Sequence, residues 1–249
     1  MLTLADMRTF TALGFLAACT GAWAAPQHFT GGPGRVALIE LYTSEGCSSC
    51  PPADAWLSAL AGKPGLWREF VPVEFHVNYW DDLGWKDRLA TPANTARQRA
   101  YAREWGSASV YTPCFVRDGL EWHPGYEGHA AKAAAGVLEV WVRDARTCEL
   151  SYRAPMHGAE NGYSYHIALL GSGIVSRVTA GENGGRTLSH SFVVLGLGGG
   201  IMDEDAGLFR AVAPIPAASV PASGRTALAA WVCNGGAEEP AQAAGGWLP

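Results

Sequence analysis

RVALIELYTSEGCSSCPPADAWLSALAG, Arg35 to Gly62, is the stretch on which the fold turns. It begins as an apolar, β-branched run suited to a buried strand and breaks at small residues around Cys47 and Cys50. After Pro51 and Pro52 the period changes. Trp56 and Leu60 are four apart with Leu57 on the same side, and Gly62 closes the segment. The order is strand, cysteine pair, helix.

Outward from this unit, FVPVEFHV (70–77) reads as a second strand. In 91–106, Thr91 is the expected N-cap of a second helix, Pro92 its first residue and Gly106 its stop. VYTPCFVRDGLEWHPG (110–125) reads as two short strands about an Asp118-Gly119 turn. The Ala-rich segment 127–145, with Val137, Val140 and Trp141 at helical spacing, is the expected closing helix. A β-α-β-α-β-β-α order implies a central mixed sheet with flanking helices. From Cys148 onward, five short alternating runs separated by glycine-rich turns predict a small all-β, sandwich-like domain. The expected division is 25–146 and 147–249.

The chain has 249 residues, 48% of them hydrophobic, with a formal net charge of −5. That content supports a real core, and the acidic balance argues against nucleic acid as a partner. Residues 1–24 carry only Asp6 and Arg8 as charges, an apolar run over 10–18 and an Ala22-Trp23-Ala24 site, the pattern of a secretory signal peptide. Leu16 to Cys19 also fits a lipoprotein processing box, in which Cys19 would carry a lipid anchor. The apolar run is far shorter than the about 20 residues of a membrane span. Both readings place the mature chain in the periplasm or outside the cell, an oxidising setting where cysteines pair or do chemistry.

A thiolate is the species that attacks a disulfide, and a helix N-terminus favours it. Cys47 is thus the expected exposed nucleophile and Cys50, one turn on, the resolving thiol. Other uses of the pair are weaker. A four-cysteine zinc site wants a second CxxC, which the chain lacks. A staple across so short a loop restrains little of the unfolded chain. Thr112-Pro113, entering a strand after this unit, reads as a cis proline beside the pair or as an ordinary trans edge proline. Cys114, two positions from Thr112, is then either a small buried thiol or a third reactive one. His76 ends the second strand at the expected functional edge of the sheet, where it serves as proton shuttle, metal ligand or satisfied loop histidine. Trp80 and Trp85 read as core or as walls of a peptide groove. Arg97, Arg99 and Arg103 read as a solvated helix face or a clamp for Asp81 or Asp82. Cys148 and Cys233, opening and closing the β-rich part, are candidates for a bridge. Glu182, Asn183, Arg186 and His190 in GENGGRTLSH receive a turn-forming role and no chemistry.

ELYTSEGCSSCPPAD, FHVNYWDDLGWKD, RQRAYA, VYTP and GENGGRTLSHSFVV together resemble the secreted bacterial proteins of domain of unknown function 1223. The resemblance spans roughly residues 36–233 and implies a thioredoxin-like fold with a β-rich C-terminal portion. Members usually carry Gln after the Thr-Pro where this chain has Cys114. The reading that follows is an extracytoplasmic thiol-disulfide oxidoreductase, acting on protein or small-molecule thiols and disulfides through Cys47, Cys50, Thr112, Pro113 and His76, with no cofactor. Two other classes stay open. One is a copper or other soft-metal module using Cys47, Cys50, His76 and Cys114. The other is a non-catalytic envelope interaction protein.

Overall fold

The structure, a computed structural model, describes residues 26–125, 135–155, 161–221 and 224–249. The signal segment with Cys19, and the Ala-rich residues 126–134, lie outside the described residues. In chain order the elements are β1 (Gln27–Gly31), β2 (Ala37–Thr43), α1 (Pro51–Ala59) with a 3-10 turn at Leu60–Gly62, β3 (Phe70–His76), α2 (Pro92–Glu104), β4 (Cys114–Arg117), β5 (Leu120–Trp122), β6 (Val137–Val142) and β7 (Thr147–Arg153). There follow β8 (Tyr163–Ser172), β9 (Ile174–Arg177), β10 (Thr187–His190), β11 (Val193–Ile201), β12 (Asp203–Asp205), β13 (Leu208–Pro214), β14 (Arg225–Asn234) and β15 (Pro240–Trp247).

Strands dominate and only two α-helices occur among the described residues, which overturns the expected thioredoxin-like α/β domain with a separate small sandwich. Two causes can be named. First, the edge of β3 opposite β2 is taken by β11 from the C-terminal part, where Glu74 N–H donates to Phe192 O at 2.8 Å. One eight-stranded sheet, ordered β15-β14-β8-β11-β3-β2-β4-β5, therefore draws on both sides of residue 146. Second, Val137–Val142 is a strand, not the end of a helix. Leu138, Val140 and Val142 are buried and alternate with half-buried Val137, Glu139 and Trp141, a period of two. β6 joins a five-stranded sheet, β1-β6-β7-β13-β12, whose inner side chains share a core with Tyr165, Ile167, Leu228, Ala230 and Val232 of the large sheet.

The local signals of the first half are realised. Thr91 Oγ1 accepts from Asn94 N–H at 3.2 Å as the cap of α2. Asp118 and Gly119 both have positive φ, 51° and 85°, the geometry of a two-residue type I′ hairpin between β4 and β5. β2 and β3 run parallel with Leu41 opposite Glu74, Tyr42 opposite Phe75 and Thr43 opposite His76. This register gives the pair two chemically different faces, because side chains alternate along a strand. Tyr42 and Phe75 stack on the side that receives α2, while Thr43, Glu74 and His76 lie on the side of α1.

Candidate functional site

The turn after β2 carries Cys47 and Cys50, which are joined as a disulfide with Cα atoms 5.5 Å apart. Cys50 is the N-cap of α1. The amides that usually serve an anion there are spoken for: Pro51 and Pro52 have none, and Ala53 and Asp54 N–H donate to Cys50 O. The donor beside Cys47 is instead a hydroxyl, with Ser49 Oγ 3.3 Å from Cys47 Sγ. The expected exposure of Cys47 is not realised. Both cysteines are fully buried, and Ser48 and Ser49 form the exposed crest of the turn.

The Thr112–Pro113 peptide is cis. Trp80 ties this loop to the cysteine turn, since its Nε1–H donates to Thr112 Oγ1 at 2.8 Å and its Cβ lies where Gly46 has no side chain. A Cβ at Gly46 would stand 3.0 Å from that of Trp80, so a larger residue there would have to push the indole back by a few tenths of an ångström. Trp85 donates to Glu45 Oε2 at 2.8 Å. Both tryptophans are thus half-buried, hydrogen-bonded parts of the site's wall.

A second clamp comes from the segment to which sequence reading gave only a turn. Asn183 Nδ2 donates to the carbonyls of Glu45 and Cys47, each at 2.9 Å, and Glu182 Oε2 accepts from Ser48 N–H at 3.0 Å. The Gly181–Gly185 loop therefore holds the backbone of the cysteine turn across 136 positions of sequence. A carboxamide followed by glycines was visible in the sequence, but nothing local could say which backbone it would serve.

Beneath the turn, on the α1 side of the sheet, lies a buried polar cluster. His76 Nδ1 is 2.7 Å from Asp87 Oδ2 and its Nε2 is 2.8 Å from Glu74 Oε1. His190, ending β10, places Nδ1 2.9 Å from the same Glu74 oxygen and Nε2 3.6 Å from Glu45 Oε1. Asp54, in the first turn of α1, accepts from Thr43 Oγ1 at 2.6 Å, and its other oxygen is 4.0 Å from His190 Nδ1. Burial and then the Glu74 charge push the Asp54 carboxyl up to about 7, against the lowering effect of His190. Burial would also raise Glu74, but the two imidazoles outweigh it and hold the carboxyl low. Burial opposes charge on His76, yet Asp87 and Glu74 win and keep its pKa well above the ordinary value.

His76 is thus a member of this cluster, hydrogen-bonded at both nitrogens to carboxylates. Among the described residues, the group that could hold an ion is Glu74, His76 and His190, and it includes no cysteine. Cys114 does not share the face of His76. It pairs with Tyr42 across β2–β4 and points to the α2 side, where Tyr111, Gln98 and Glu121 surround its buried thiol. Burial pushes that thiol up to about 11. Cys148 and Cys233 are free thiols, not a bridge, because their side chains point into different cores. They donate to Ala213 O and Glu238 O. Arg99 and Arg103 are exposed, but Arg97 is buried and pairs with Glu40, while Asp81 accepts from Asp87 N–H rather than from an arginine.

A largely apolar cavity of 610 Å³, lined in part by Val142, Leu169, Pro214, Ile215 and Leu248, shares no residue with this site.

Two solved structures resemble the chain in three dimensions. Protein AGR_C_4864 from Agrobacterium tumefaciens matches at 25% identity with a TM-score of 0.57, over 86% of this chain and 94% of that one. HBP35 of Porphyromonas gingivalis matches at 14% identity with a TM-score of 0.61, over 88% of this chain and 76% of that one, a likeness of fold alone. No curated protein matches the sequence. The model of the family described as "Protein of unknown function (DUF1223)" matches residues 38–232, which contain the cysteine turn, its clamp and the histidine cluster, and the chain belongs to that family.

Proposed function

We propose that the protein is a thiol-disulfide exchange protein whose working bond is Cys47–Cys50. The observation that carries this reading is a disulfide between residues three apart at the start of a helix, built into a turn that Trp80, Glu182 and Asn183 hold from outside. Such a bond closes too short a loop to stabilise much, so its use is better sought in chemistry. A buried carboxyl, Asp54, stands one helical turn beyond Cys50.

In the oxidising direction, a partner thiolate attacks one sulfur, the Cys47–Cys50 bond breaks and a mixed disulfide forms. A second partner thiol then displaces the protein sulfur. The partner leaves as a disulfide, and the protein gains two electrons and two protons as the dithiol. The reducing direction is the same sequence reversed. Ser49 Oγ is placed to donate to a Cys47 thiolate, taking the part that the missing amides of Pro51 and Pro52 would otherwise play. Because both sulfurs are covered, a partner reaches them only when the Ser48–Ser49 crest and the 181–185 loop part.

The test is a redox equilibrium against glutathione together with turnover on a protein disulfide. A potential within about −270 to −120 mV, with turnover lost in Cys47→Ser, supports the reading. A potential below about −300 mV with no turnover in the unsubstituted protein marks a structural bond and removes it.

A further inference from the structure

The buried cluster on the α1 side has the layout of a metal site. The inner nitrogens of two histidines converge on one carboxylate oxygen: Glu74 Oε1 is 2.8 Å from His76 Nε2 and 2.9 Å from His190 Nδ1. The other oxygen of that carboxylate, Oε2, is fully buried and has no hydrogen-bond partner among the described residues. Each outer nitrogen is turned toward a further carboxylate, His76 Nδ1 to Asp87 at 2.7 Å and His190 Nε2 to Glu45 at 3.6 Å. A carboxylate behind each ligating imidazole is what orients histidines on an ion. Asp54 Oδ2 stands 4.0 Å from His190 Nδ1, and its partner oxygen is held by Thr43. Every one of these side chains is buried.

A network of protons alone accounts for this less well. It would spread two ring N–H groups over the two oxygens of Glu74 instead of crowding both on Oε1 and leaving Oε2 without a partner. An ion with bonds of about 2.1 Å holds its ligand atoms roughly 3.4 Å apart in a tetrahedron, so the closest pairs, at 2.8 and 2.9 Å, need to open only slightly to admit one.

We propose that His76 Nε2, His190 Nδ1 and the Glu74 carboxylate bind one divalent first-row transition ion of the zinc type, with Asp54 Oδ2 standing beside them. Imidazole and carboxylate donors with no thiolate suit such an ion and disfavour copper(I). The ion ties β3 and β10 together under the cysteine turn, and the site does not depend on any exchange reaction.

The full chain, refolded with its disulfide intact, is loaded with Zn(II) or Co(II), freed of excess metal and analysed for metal content, with its fold checked by circular dichroism. One ion per chain is expected, with a visible d–d band for Co(II) and a higher melting temperature with Zn(II). Glu74→Gln and His190→Gln should each weaken binding by about 100-fold or more, whereas the Cys47→Ser/Cys50→Ser double variant should bind as before. Folded, unsubstituted protein that retains far less than one ion overturns the site, and so does loss of the metal in the cysteine variant. If the Glu74 and His190 variants do not fold, those two measurements still decide.

Discussion

The two faces of the β2–β3 pair both bury charge, and they do so to different ends. On the α2 side, Arg97 donates to both oxygens of Glu40, at 2.9 and 3.2 Å, and also pairs with Glu238. Its guanidinium lies over Phe75, Tyr101 and Trp231 at 5.1 to 5.7 Å, while Tyr101 and Tyr42 hydroxyls donate to the same Glu40. One cation meets one central carboxylate, and each atom of that carboxylate is used. On the α1 side, carboxylates outnumber imidazoles, atoms of Glu74, Glu45 and His190 stay unpaired, and a disulfide sits above. A closed network holds a fold, whereas one with buried atoms left over is where a ligand or a reaction is to be sought.

The largest expected effect comes from breaking the closed network. Arg97→Met strands the Glu40 charge in the core and should cost about 3–5 kcal/mol in urea unfolding, and adding Glu40→Gln should recover part of that loss. If Arg97→Met costs under about 1 kcal/mol, the contrast between the faces fails. Opening the other side is smaller. Asn183→Ala removes two hydrogen bonds from the cysteine turn, at about 1–3 kcal/mol, and should speed reduction of Cys47–Cys50 by dithiothreitol roughly tenfold. An unchanged rate would mean that the 181–185 loop does not govern access.

The histidines sharpen the comparison through pH. His166 stacks on Trp231 on the Arg97 side, where burial and then the Arg97 charge lower its pKa to about 3. The unfolded chain takes up this proton near pH 6.5 and the folded one only near 3, so this group is neutral in stability above about pH 6.5 and destabilises progressively as pH falls toward 3. His166→Phe, which keeps the stacking, should flatten that part of the acid-unfolding curve. A curve of unchanged steepness would show that the ring is protonated in the fold. The smallest effect is chemical. Burial raises the thiols of Cys114 to about 11 and of Cys148 to about 12, so neither these nor buried Cys233 should take up a maleimide in the native protein, while all three react in denaturant. Labelling of Cys114 at native pH would reopen its role beside the pair.

What the sequence alone determined lies within a few residues of its own signal. The Thr91 cap, the Asp118-Gly119 hairpin, the Pro-Pro start of α1 and the spacing of Cys47 and Cys50 are choices of backbone dihedral and nearest hydrogen bond, and neighbouring residues make them. Tertiary structure decided the rest. It turned 137–142 from an expected helix into a strand, because pairing with β1 and β7 satisfies its backbone and its alternate side chains meet a core. It buried Arg97 opposite Glu40, 57 positions away, and brought His190 to Glu74 across 116. It also covered Cys47, whose exposure the spacing suggested. Contacts at that separation depend on which elements become neighbours, and the entry of β11 beside β3 is what sets His190, just before it, against Glu74.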